Sequence, residues 1–131
     1  MREQIEQILR AFAEEHRMTY ASGIVPTKLA QGIKFPCVYW VLPDGEYSIR
    51  RERRTLRNTI YIVAGKTKDD KITHSVDELE ALATSLFKRL HLSDSSATTD
   101  VLTTRVKYGF DNSGAHAIEM VFDIYCYDGE C

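Results

Sequence analysis

Four histidines, three cysteines, a pair of adjacent aspartates and a dense run of arginines are the residues of this 131-residue chain whose types could carry chemistry. His16, His74, His91 and His116 are widely scattered, and no two form the HxxxH or HxH pair that would put two imidazoles on one short element to hold a metal. Cys37, Cys126 and Cys131 are odd in number and include no CxxC, so they suggest neither a disulfide framework nor a thiolate metal site. A reducing cytoplasm fits that usage, and Cys37 reads as a small core residue. Asp69-Asp70 stands among lysines, and Asp94 among serines, where carboxylates solvate a surface instead of sharing a proton. The chain has no GxSxG elbow, no GxxxxGK[ST] phosphate loop and no GxGxxG turn. These residues predict no enzyme, no cofactor and no metal.

Arg50, Arg51, Arg53, Arg54 and Arg57 remain, interrupted among charged neighbours only by Glu52. A guanidinium offers carboxylates and phosphates a planar fork and keeps its charge at every physiological pH. The cluster therefore admits three readings: a contact with another subunit or a tube, a phosphate or nucleic-acid contact, or a solvated hairpin. Tyr47 is the one aromatic close by, a poor platform for stacked bases, and the formal net charge of -2 gives no general attraction for a polyanion.

The elements that must position these groups follow from periodicity. Ile5, Ile8, Leu9 and Phe12 recur at i, i+3, i+4 and i+7 among charged residues of both signs, which predicts an amphipathic helix packed on a sheet and not on a membrane. From Met18 to Lys34 the glycines and Pro26 predict a long connection with a short strand at Met18 to Ala21. Phe35-Pro36 opens a strand from Cys37 to Leu42. Both of its alternating sets are apolar, so both faces should be covered by protein. Pro43-Asp44-Gly45 reads as a turn, Asn58 to Ala64 as the returning strand, and the arginines as an insert between the two. After a Lys/Asp-rich turn from Gly65 to Thr73, Ser75-Val-Asp-Glu78 is a capping box. It opens a helix whose face is Val76, Leu79, Leu82, Ala83, Leu86, Phe87 and Leu90, with Lys88 and Arg89 at its negative end. A loop from Ser93 to Thr98 leads to a closing hairpin turning at Asp111 to Gly114. Thr104, Val106, Tyr108 and Phe110, then Ile118, Met120, Phe122, Ile124 and Cys126, should share the inner face, and Arg105, Lys107, Glu119, Val121, Asp123, Tyr125 and Tyr127 the exposed side.

At 44% hydrophobic and 27% charged residues the composition is that of an ordinary soluble globular protein, and 131 residues suffice for one core but not for two. No apolar run approaches the roughly 20 residues of a membrane-spanning helix, and the N-terminus lacks a signal-peptide core. The expectation is a single α+β domain over residues 1–131 in the order α-β-β-α-β-β, a mostly antiparallel sheet of four to five strands with two helices on one face.

That order, carried by FPCVYWVL, NTIYIVA, VDELEALATSLFKRL, VKYGF and AIEMVFDIYCY behind the N-terminal amphipathic helix, resembles the tail-terminator (minor tail protein U-like) family of long-tailed bacteriophages. The resemblance implies a small structural protein of a phage or prophage virion that assembles in the host cytoplasm. It would form a ring with copies of itself, usually a hexamer, at the head-proximal end of the tail tube. There it would stop tube polymerisation and offer a surface to a head-completion protein, with no cofactor. The arginine segment departs from the family pattern in length and charge. A head–tail adaptor or neck protein of similar fold is the related alternative, and a small nucleic-acid-binding module using the arginines the alternative of a different class.

Overall fold

The computed structural model describes residues 2–23, 36–48, 53–65, 74–90, 97–110 and 115–127. Two helices, α1 (Arg2–Glu15) and α2 (Val76–Leu90), accompany five strands, β1 (Thr19–Gly23), β2 (Cys37–Ser48), β3 (Arg53–Val63), β4 (Ala97–Phe110) and β5 (Ala115–Tyr127). The strands form one sheet in the order β1-β2-β3-β5-β4. Only the β1–β2 pair is parallel, and the other three are antiparallel. The architecture is the expected α+β type with one more strand than the simple order, because the segment after α1 returns as β1 beside β2.

Helix α1 has the predicted stripe: Ile5, Leu9 and Phe12 are buried, and Ile8 packs partly against them. On the outer side Arg10 pairs with Glu6 one turn back at 3.0 Å, an exposed contact of about 0.3–0.5 kcal/mol. The helix stops without a glycine. The Arg17 N–H bonds the Glu14 carbonyl at 3.2 Å and the Met18 N–H bonds the Ala13 carbonyl at 2.7 Å, with Arg17 in the left-handed region at φ 55°. This is a Schellman cap with arginine at the position glycine usually takes. Met18 then turns inward, and the Thr19 N–H on the Pro36 carbonyl at 3.0 Å starts the parallel pair.

Helix α2 begins as its capping box requires: the Glu78 N–H donates to Ser75 Oγ at 3.2 Å, while the Ser75 hydroxyl donates to Glu78 Oε1 at 3.3 Å. Leu79, Ala83, Leu86 and Leu90 are buried, and Leu82 and Phe87 are partly so. Arg89 near its end ion-pairs with Glu15 and lies over the Phe12 ring, which ties the two helices together. Both helices cover the same side of the sheet, α1 over β1 and β2, α2 over β3 and β5. Facing them are the rows Val38, Ile62, Ile118 and Trp40, Ile60, Met120, each residue opposite the next across the strands. Asn58 and Phe122 form a third row, and Asn58 Oδ1 accepts the Trp40 indole N–H at 2.9 Å within the core.

The structure corrects three of the expectations. Pro43-Asp44-Gly45 is not a turn; it lies inside β2. Val41 pairs with Thr59 and Asp44 with Arg57, so β2 carries one extra residue there and bulges. Proline, with no N–H for the ladder, fits a bulge as well as a turn. Three of the five arginines are consequently not in an insert, because Arg53, Arg54 and Arg57 belong to β3 itself. Strand β4 likewise starts earlier than expected, at Ala97, and takes one extra residue between Val101 and Thr103. The Asp111–Gly114 turn, and all but the ends of the expected connections 65–73 and 93–98, lie outside the described residues.

Candidate functional site

The helix-free side of the sheet brings a further correction, and its rows can be read straight from the register. Cys37, Val63 and Ala117 lie opposite one another, then Tyr39, Tyr61, Glu119 and Arg105, then Val41, Thr59, Val121 and Thr103, then Asp44, Arg57, Asp123 and Asp100. Cys37, Tyr39, Tyr61, Val63 and Ala117 are buried, as the two-sided apolar pattern of Cys37 to Leu42 predicts for β2. Glu119 and Asp123, however, are not solvent-facing, being only 5% and 4% exposed.

Each buried acid has an arginine above it. Arg57 binds Asp123 with both prongs, Nε to Oδ1 at 3.0 Å and Nη2 to Oδ2 at 3.2 Å. Arg105 donates from Nε to Glu119 Oε1 at 2.6 Å, and the Tyr61 hydroxyl donates to Glu119 Oε2 at 2.5 Å. Burial foremost, then the hydrogen bond to Glu119 and the charge of that carboxylate, pushes the Tyr61 phenol well above its ordinary range. Tyr61 is therefore a fixed donor at physiological pH. The arginine side chains are 63% and 64% exposed while their partners are almost dry, so charged heads at the surface seal carboxylates beneath. Alternation hides this, since it assigns a face but not the solvent on it.

Of the arginine cluster, then, Arg57 is bound to Asp123. Arg53 and Arg54 stand in β3 opposite Tyr127 and Cys126, with their side chains outside the description, and Arg50 and Arg51 lie outside the described residues. Beyond Asn58 the pairing of β2, β3, β4 and β5 continues to Ser48, Arg53, Ala97 and Tyr127.

A second feature had no signal in the sequence. Two helices, each about 10 Å wide, cover four strands spaced about 4.8 Å apart but not a fifth. Beside β4 this leaves a groove of about 470 Å³ with Glu80, Ala83, Thr84 and Phe87 on its α2 wall and Thr104, Arg105 and Val106 of β4 with Ile118 and Met120 of β5 on the other.

Three of the four histidines lie among the described residues. His16 stacks on Phe12 at 4.5 Å between ring centroids, His74 Nδ1 accepts the Gly65 N–H at 3.4 Å, and the His116 carbonyl accepts the Ala64 N–H at 2.8 Å. His91, Asp69, Asp70, Asp94 and Cys131 lie outside the described residues. Among the described residues no three His, Cys, Asp or Glu side chains are grouped to hold a metal ion, and no helix is long and apolar enough to cross a membrane. Neither a protein-family model nor any of the curated proteins matches the chain.

Proposed function

We propose that this chain is a tail-terminator-like structural protein of a phage or prophage: it closes with copies of itself into a ring and seats on the last ring of the tail tube. Its partners are its own copies, the tail-tube protein and a head-completion protein, first in the host cytoplasm and then in the virion tail. The order of elements supports the reading, and one observation carries it. A sheet covered by both helices on one side, with arginine-sealed carboxylates on the other, gives one subunit two unlike surfaces, which head-to-tail closure into a ring requires. The ring is expected to hold six copies.

Nucleic-acid binding has less support, because the one arginine of the cluster with a described side chain spends its fork on Asp123. Native mass spectrometry of the protein, alone and added to growing tail tubes whose lengths are measured by electron microscopy, tests the proposal. A ring that halts elongation is expected. A strict monomer both alone and on tubes, or tubes that elongate unchanged, overturns it.

A further inference from the structure

Among the described residues the sheet ends at β4, whose outer edge meets no further strand. An open edge accepts an added strand whose residues continue the rows of the sheet. On the helix side, the rows of Ile118 and Met120 end in Val106 and Thr104 beside the groove, where Val106 and Phe87 are only half-buried. Apolar or small residues suit their continuation. On the other side, the row of Tyr61 and Glu119 ends in Arg105, which is 64% exposed and, among the described residues, gives only its Nε to Glu119. An acid suits the next position there. The row of Arg57 and Asp123 ends at Asp100, the second of two acids standing opposite each other, and a base suits the position after it.

A second β4, turned round by a twofold axis between Leu102 and Thr103, supplies all of these. Arg105 then stands opposite Asp100 of the second copy, and Asp100 opposite its Arg105. On the helix side Thr104 meets Val101, and Val106 meets Thr99. The faces agree because of the bulge: Val101 pairs with Phe122 and Thr103 with Val121, so Leu102 is an extra residue. Val101 and Thr104 therefore belong to the same side of the sheet although an odd number of positions separates them. A slip of one residue in either direction would set the helix side of one copy against the helix-free side of the other.

We propose that two copies of this chain pair through their β4 edges, antiparallel about a twofold axis at the Leu102 bulge, so that two sheets join into one. The contact is isologous: it pairs copies two by two, alone or from ring to ring, and stops there. It goes beyond the ring-forming reading, whose head-to-tail contact uses other surfaces.

Asp100→Lys tests the charge match, since it sets a lysine against Arg105 at both ends of the contact. Pairing should weaken about tenfold or more, while Asp100→Glu should pair like the wild-type chain. Sedimentation of the chain without tubes reads both, and Arg105 is left intact because it also holds Glu119. A mixture of Thr104→Cys and Val101→Cys chains, each also carrying Cys126→Ser and Cys131→Ser, tests the register. Mild oxidation should join the two kinds of chain. Neither kind alone should crosslink, because like positions are then displaced along the strands by on the order of 7–10 Å, too far for a disulfide. A wild-type chain that stays monomeric, an Asp100→Lys chain that pairs as tightly as wild type, or a mixture that crosslinks no more than either chain alone overturns the proposal. If circular dichroism shows Asp100→Lys unfolded, the crosslink decides. Tube capping is scored separately: crosslinked chains that leave tubes uncapped keep this contact and lose the capping function, whereas rings that cap tubes without any crosslink lose this contact alone.

Discussion

The Tyr61 hydroxyl reaches across the β3–β5 pair to Glu119 at 2.5 Å, a neutral donor on a buried carboxylate whose other oxygen is held by Arg105. Burying a carboxylate in this way is tolerable only while both donors stay in place. The pair therefore fixes the β3–β5 register chemically as well as by shape: slipping one residue would bury the acid without them.

The first prediction uses the raised phenol of Tyr61. Its neutral form is favoured by folding, so above about pH 10, where an unfolded tyrosine ionises, the unfolded state binds fewer protons and stability falls as pH rises. Tyr61→Phe should cost about 1–2 kcal/mol at neutral pH through the lost hydrogen bond. It should also flatten the alkaline limb by up to about 1.4 kcal/mol per pH unit. Urea titrations of both proteins across the alkaline range measure this, and equal slopes would disprove the assignment.

Asn58 is fully buried on the opposite side of β3, with its Oδ1 on the Trp40 indole. Asn58→Leu should destabilise by about 1–3 kcal/mol by leaving that N–H without its acceptor. Adding Trp40→Phe should cost less than its effect in the wild-type background, a coupling that a double-mutant cycle in denaturant reads directly.

Arg17 closes α1 at a backbone angle that strains a side chain carrying Cβ. Arg17→Gly should therefore stabilise the protein by about 0.5–1 kcal/mol, net of the entropy glycine adds to the unfolded chain. A higher melting temperature is the expected readout, and a lower one would mean that the arginine side chain contributes more than the strain costs.

Leu86 and Phe87 are neighbours in sequence with different fates. Leu86 is fully buried, so Leu86→Ala should cost about 2–5 kcal/mol. Phe87 is half-buried against the open groove, and Phe87→Ala should cost distinctly less, since no closed cavity forms. Chemical denaturation of the two variants gives the comparison, and the reverse order would place the helix face one residue round.

Much of this arrangement is written locally. The stripes of α1 and α2, the Ser75–Glu78 box and the two-sided apolar text of Cys37 to Val41 describe contacts within one turn or one strand, where periodicity is informative. What periodicity misses depends on a partner elsewhere. Pro43 looks the same in a bulge as in a turn, and only the pairing of Asp44 with Arg57 decides between them. Glu119 and Asp123 alternate like solvent-facing residues and are buried because Arg105 and Arg57 come from other strands. The groove depends on how many strands two helices can roof, a count no single segment contains.

The extra residue of β2 has one more consequence. β1 ends at Gly23, opposite Val41, and Pro43 follows at the bulge immediately beyond that last pair. There is no N–H at Pro43 for an incoming strand, and the bulge twists the rim of the sheet away from a straight template. A stray polypeptide that began to zip along β2 past the end of β1 would stall after a single residue. The same bend that let proline pass for a turn thus works as a guard against fibre growth along β2.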